Sequence, residues 1–211
     1  MKHVPHVIVA TPWDDVELSL SVVQWRHLTR VLRMKRGKPV TYTDGFGRFG
    51  EGALSDHSIR RGSEREIPRG VELTVAVAPP SNKDRQRYLV EKLAELGVSR
   101  LQWLTTAHGS GRIASPGKVF SWVSAALEQS QGAWLMETTP GLVKWDDLAE
   151  PTLVCSPGGG ELASRPRTVV IGPEGGFSDG EIPDGFARWN LGPNVLRVET
   201  AAVVAVARIL G

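Results

Sequence analysis

The chain has 211 residues, enough for one large domain or two unequal ones. Its 41% hydrophobic and 23% charged residues exclude a disordered or fibrous chain; no apolar stretch approaches the roughly 20 residues that cross a bilayer and no secretory run opens it, so a soluble, cytoplasmic protein without a membrane partner is expected. One cysteine, Cys155, excludes an internal disulfide, the five histidines lack zinc-ligand spacing so that no metal is expected, and a net charge of +2 does not by itself mark a nucleic-acid binder.

In chain order, the first third reads as short strands at 7–10, 40–43 and 51–54, with Asp44-Gly45 as a hairpin signal. Residues 24–34 carry Trp25, Leu28, Val31 and Leu32 at helical spacing, with Gly37 as the stop. The charge is uneven. Residues 1–70 hold twelve Lys and Arg against eight acids (12 − 8 = +4), and residues 71–211 hold thirteen against fifteen (13 − 15 = −2). The excess is densest at Arg26, Arg30, Arg33, Lys35, Arg36 and Lys38, a footprint for a phosphate backbone or, equally, a solvated basic helix face.

Near residue 70 the pattern changes to alternating strands and helices, predicting an α/β fold with a parallel sheet. The expected elements are a strand at 71–78, a helix from a Ser81/Asp84 capping box to Gly97, and a strand at 101–105. They continue with a helix after Pro116 carrying Val119, Val123, Ala126 and Leu127, strands at 153–155 and 169–171, and a final helix at 201–210. Residues 1–70 and 71–211 are the two expected domains, with 60–70 and 157–166 as flexible segments.

Two motifs are decoys. Gly45, Gly47 and Gly50 match the dinucleotide-binding spacing, but a returning strand follows where that site needs a helix. Gly176-Phe177-Ser178-Asp179-Gly180 matches a nucleophile elbow, whose histidine follows the serine; the last histidine here is His108, so Ser178 reads instead as a helix cap completed by Glu181. Three loops at the expected carboxyl edge of the sheet are more informative: 156–160, 172–176 and 191–201. Their glycines let backbone approach a planar ligand, and no Lys-Ser/Thr pair follows them as a triphosphate loop requires.

The second and third of these loops, together with Glu91-Lys92-Leu93-Ala94-Glu95-Leu96-Gly97-Val98 and Ala126-Leu127-Glu128-Gln129-Ser130, resemble the ribosomal small-subunit RNA uridine-N3 methyltransferase family, RsmE, of the SPOUT class. His27, Val31-Leu32-Arg33 and Gly37 resemble that family's PUA-like RNA-binding domain. The resemblance spans nearly the whole chain. It implies a PUA-like β-barrel over 1–70, a SPOUT domain with a trefoil knot over 71–211, a homodimer, S-adenosylmethionine as methyl donor, and ribosomal RNA or the small ribosomal subunit as partner. It also implies donor contacts from Ser156, Gly172, Pro173, Glu174, Gly175, Gly176, Leu191, Gly192, Leu196, Arg197, Glu199, Thr200 and Ala201. Catalytic roles fall to Arg197, stabilising charge on the uracil or else bridging Glu174 or Glu199, and to Glu174, accepting a proton or else closing its turn. RNA contacts fall to Arg26, Arg30, Arg33, Arg36 and Gln129. Where relatives carry arginines this chain has His108 and Gly132, and its 181–191 segment is shorter. The alternatives are therefore a catalytically weak or inactive RNA-binding relative in ribosome assembly, or an enzyme with another RNA target.

Overall fold

The computed structural model describes residues 4–109 and 111–211, which divide into two compact units: Met1–Arg69 with Ser124–Leu135, and Gly70–Val123 with Met136–Gly211. The first unit is built on five strands, β1 (His6–Ile8), β2 (Glu17–Ser19), β3 (Pro39–Thr43), β4 (Arg48–Leu54) and β5 (Ser58–Glu66), in the order β1-β3-β4-β5-β2. Among the described residues of this unit only the β1–β3 pair is parallel. Val7, Trp13, Leu28, Val40, Tyr42 and Ile59 fill its core.

The hairpin signal holds. Thr43 pairs with Phe49, and Asp44 Oδ1 accepts from the amides of Phe46 and Arg48 at 2.7 and 3.1 Å. The glycines of the first decoy are explained by packing: a Cβ at Gly45, Gly47 or Gly50 would strike Leu135, Trp134 or Tyr42. The basic segment departs from a uniform helix. Ser21 caps α1 (Val22–Arg26) with Gln24 closing the box, and His27–Val31 then widens into a π turn in which the Leu32 amide reaches the His27 carbonyl at 3.0 Å. The widening rotates Val31 and Leu32 outward while Leu28 stays fully buried, and Arg33, at φ 52°, ends the turn before Gly37. The expected flexible segment 60–70 is instead strand through Glu66. Its charges hide the strand pattern, yet they pair: Arg61 Nε donates to Glu64 at 2.7 Å and Arg65 reaches Glu51 at 3.2 Å.

The second unit is the expected α/β sheet. Its six parallel strands are β6 (Thr74–Val77), β7 (Arg100–Leu104), β8 (Glu137–Val143), β9 (Thr152–Gly160), β10 (Thr168–Ile171) and β11 (Ala187–Trp189), ordered β11-β9-β10-β6-β7-β8. β10 is buried along its whole length, as a central parallel strand requires. Helix α2 (Lys83–Glu95) lies against α4 (Val198–Leu210), and α4 against β10 and β6; α3 (Pro116–Ser130) buries Val119, Trp122 and Val123 in this unit, and Ala126 and Leu127 on the stretch from Ser124 that belongs to the first. Three expectations need correction. The cap of α2 is Asn82 rather than Ser81, because the Asn82 carboxamide accepts from the amides of Asp84 and Arg85. Residues 156–160 are not a free loop: β9 runs on to Gly160, which pairs with Trp189. No helix starts at Ser178, since Pro183 lacks the required N–H and the Glu181 carboxylate turns back to the chain. Among the described residues no helix is long and apolar enough to cross a membrane.

Candidate functional site

The strand order reverses direction between β6 and β10: β7 and β8 extend the sheet on one side, β9 and β11 on the other. Open α/β sheets bind ligands at such a switch point, outside the carboxyl ends of the strands. A cavity of about 650 Å³ lies there, beyond Cys155 of β9 and Ile171 of β10.

Each wall has a local cause. The wall after β10 begins with Gly172 and folds through a turn in which the Gly176 amide donates to the Pro173 carbonyl at 2.9 Å, with Gly176 at φ +72°. Phe177 anchors this turn by packing against Trp145, ring centroids 5.5 Å apart. A Cβ on Gly172 would come 2.8 Å from that ring, so the position needs glycine. Glu181 fixes the far end: Oε1 accepts from the Ala107 amide at 2.7 Å and Oε2 from the Ser178 amide at 2.8 Å, tying the loop after β7 to the loop after β10. The opposite wall follows β11, where Asn190 Oδ1 accepts from the Gly192 amide at 3.0 Å.

Of the residues that the sequence singled out for the donor, the cavity is lined by Ser156, Gly172, Pro173, Glu174, Gly176, Leu191, Gly192, Leu196 and Ala201. Gly175 sits outside the lining, where a Cβ would come 3.2 Å from the Cβ of His108. Arg197, Glu199 and Thr200 also lie outside it. Arg197 is the exposed N-cap residue of α4, Glu199 is buried in the first turn, and Thr200 is exposed. The ion pairs to Glu174 and Glu199 that the sequence offered Arg197 are made by Arg85, at 3.4 and 3.8 Å. Sequence reasoning also missed Phe177, Ile182, Arg188 and Asn190, all in the lining. The signal for Phe177 and Ile182 was present, as apolar residues in an otherwise polar segment.

The cavity mixes apolar surface with the charges of Glu174, Asp179 and Arg188. Burial pushes the Cys155 thiol up to about 12, so it contributes a neutral group. His108 stands at the rim. Its Nδ1 lies 3.3 Å from the Gly176 carbonyl, an acceptor only, so Nδ1 carries the proton and Nε2 faces the Ser178 hydroxyl at 3.4 Å. The fold thus brings together the serine and histidine that chain order kept apart. Nδ1 meets a backbone carbonyl rather than a carboxylate, and the serine stands on a turn rather than a strand-to-helix elbow, so the pair lacks the orienting group of an acyl-transfer triad.

In the first unit, Arg26, Arg30, Arg33 and Gln129 are exposed, and Arg36 is exposed but paired with Asp56.

A model of the RNA methyltransferase domain family matches residues 67–210. The chain is 30% identical to the ribosomal RNA small subunit methyltransferase E of Synechocystis sp., over 96% of this chain and 76% of that relative. A Legionella pneumophila protein solved in complex with the bound cofactor SAM is 26% identical and aligns with a TM-score of 0.83 over 98% of this chain and 97% of that one. A ribosomal RNA small subunit methyltransferase E from Neisseria gonorrhoeae, solved with S-adenosyl methionine, shares the fold at a TM-score of 0.84 and 23% identity, over 98% and 96% of the two chains.

Proposed function

This chain belongs to the ribosomal RNA small subunit methyltransferase E family of RNA methyltransferases, and from that membership we propose that it uses S-adenosylmethionine to methylate N3 of a uridine in small-subunit ribosomal RNA, acting as a homodimer. The observation that carries this reading is the glycine-walled cavity at the sheet's switch point. Its volume of about 650 Å³ falls in the roughly 300–1,000 Å³ range of small-molecule sites. Its chemistry fits the donor. Ile171, Ile182, Leu191 and Leu196 offer apolar surface to a nucleoside base, glycine backbone offers unshielded N–H and C=O groups, and Glu174 and Asp179 suit a cationic sulfonium.

When bound, S-adenosylmethionine supplies a methyl group made electrophilic by its positive sulfur. The chain's residues orient that group and manage the proton. Transfer forms the N3–carbon bond, breaks the carbon–sulfur bond with its electron pair leaving on sulfur, and releases the N3 proton. In this reading Glu174 accepts that proton: Arg85 engages its Oε1, leaving Oε2 available. Arg197, exposed and without an ion pair among the described residues, stabilises negative charge developing on the uracil. Holding nucleophile and methyl in line contributes the larger share, about 7–11 kcal/mol at best. Arg26, Arg30 and Arg33 grip phosphates and fix register.

The position of His108 favours a second reading. It bonds within its own rim rather than presenting a permanent charge, which suits a relative whose RNA target or turnover has shifted. Mass spectrometry of ribosomal RNA from cells with and without the gene separates the two. Loss of one N3-methyluridine from small-subunit RNA is expected; an unchanged spectrum overturns the first reading.

A further inference from the structure

The geometry points to Arg85 as a positioning residue that clasps the two walls of the donor cavity together. It lies at the start of α2, where a positive charge is unfavourable because the helix N-terminus is itself positive. Its partners offset that cost. Nη1 lies 3.4 Å from Oε1 of Glu174, on the wall that follows β10, and Nε lies 3.8 Å from Oε1 of Glu199, in the first turn of α4. The second wall, residues 191–196, runs directly into that turn. One guanidinium therefore spans the two chain segments between which the cavity opens, and its planar fork suits a bridge between two carboxylates.

The platform beneath it is firm. The neighbouring Gln86 is fully buried, with Nε2 donating to the carbonyls of Pro80 and Arg112 at 2.6 and 2.9 Å and Oε1 accepting from the Ala114 amide at 3.1 Å. Glu199 gives the bridge its importance. It is only 8% exposed, and its Oε2 is buried without a hydrogen-bond partner, so Arg85 is the charge that compensates it among the described residues. Removing Arg85 leaves a buried carboxylate unpaired at the mouth of α4, and the first turn of α4 must open toward water to relieve it.

The role rests on the reading of the cavity as a donor site, so its test has one measurement independent of the donor. In the full-length Arg85→Ala variant without ligand, amide hydrogen exchange is expected to rise in segments 172–176 and 198–201 and to stay unchanged in β7. Calorimetry with S-adenosylmethionine is expected to show binding weakened about tenfold, and the KM for donor to rise more than kcat falls. Arg85→Lys restores little, because one ammonium does not span both carboxylates. The double variant Arg85→Ala with Glu199→Gln is expected to exchange more slowly than Arg85→Ala alone, since the unpaired charge is gone. Should Arg85→Ala fail to fold, Arg85→Lys and Glu199→Gln carry the same comparison. Wild-type exchange in both segments of Arg85→Ala overturns the clasp. Absence of donor binding by the wild type overturns the function reading instead, and leaves the exchange result to decide the clasp.

Discussion

His6 gives the first unit a measurable sensitivity to acid. Burial drives its pKa down from 6.5 to about 4, against a smaller opposing effect from the Gly132 carbonyl. The hydrogen bonds agree with a neutral ring: Nε2 donates to the Gly132 carbonyl at 3.0 Å, and Nδ1 then accepts from the Thr41 hydroxyl at 2.9 Å. Between pH 6.5 and about 4 the unfolded chain binds a proton at this site that the folded chain refuses. Stability is therefore present in full above pH 6.5 and is lost as the pH falls toward the folded value. At about 1.4 kcal/mol per tenfold change in proton affinity, the loss from this one group is about 2 kcal/mol by pH 5 and about 3 by pH 4. Glu64, held low by Arg61, and Glu17, held low by Ser58, also shed stability in acid, so the comparison must isolate the histidine. Urea unfolding of the wild type and of His6→Gln, followed by the fluorescence of Trp13 and Trp25 in the same core, does so. The two stability curves should converge as pH falls, the wild type losing about 3 kcal/mol more than the variant between pH 7 and pH 4. Parallel curves would show that the proton of His6 is not coupled to folding.

Other outcomes follow from the site. Glu181→Ala leaves the amides of Ala107 and Ser178 without their charged acceptor, and a loss of about 2 kcal/mol, or roughly 4–8 °C in Tm, is expected by calorimetric melting; an unshifted Tm would mean that the link between the two loops carries no stability. Gly172→Ala forces the Phe177 ring aside, and donor affinity measured by titration should fall about tenfold, or about 1.4 kcal/mol, toward the low end of what overpacking costs; unchanged affinity would remove Phe177 from the cavity's determinants. The triple variant Arg26→Ala, Arg30→Ala, Arg33→Ala should lower the slope of log affinity against log salt for single-stranded RNA by about 2, at roughly 0.7 per phosphate contact. Arg36→Ala should change it by less than the roughly 0.7 of one full phosphate contact, because Asp56 already pairs with Arg36, and a drop of about 0.7 or more would refute that ranking.

Legibility in the sequence tracked how local each signal is. β6, β7, β9, β10 and α2 to α4 announce themselves because a buried strand or an amphipathic helix writes its burial into its own residues, as in Val169-Val170-Ile171. β5 did not, because its charges find partners distant in sequence, Arg65 in Glu51 and Glu64 in Tyr42. β11 did not, because its three residues become a strand only by pairing with Leu153, Val154 and Gly160 of β9. The cavity was legible as glycines. Its floor and its clasp were not: Phe177 matters through Trp145, and Arg85 through carboxylates 89 and 114 residues away (174 − 85 and 199 − 85).

The two positions where the resemblance implies arginine, His108 and Gly132, are built into local packing. At Gly132 a Cβ would sit 2.5 Å from Cδ1 of Leu127, itself buried, and the Gly132 carbonyl is the acceptor for Nε2 of the buried His6 ring at 3.0 Å. An arginine there must push the Leu127 side chain aside. At position 108 the imidazole lies against Gly175, 3.2 Å from where a Cβ would stand, and bridges to Gly176 and Ser178. A longer side chain at 108 gives up those contacts and frees the turn that Phe177 anchors. Gly132→Arg is accordingly expected to cost about 2 kcal/mol of stability, through strained packing against Leu127, before any gain in RNA affinity is read. A stable Gly132→Arg protein with raised affinity would instead show that the packing around Gly132 does not exclude an arginine.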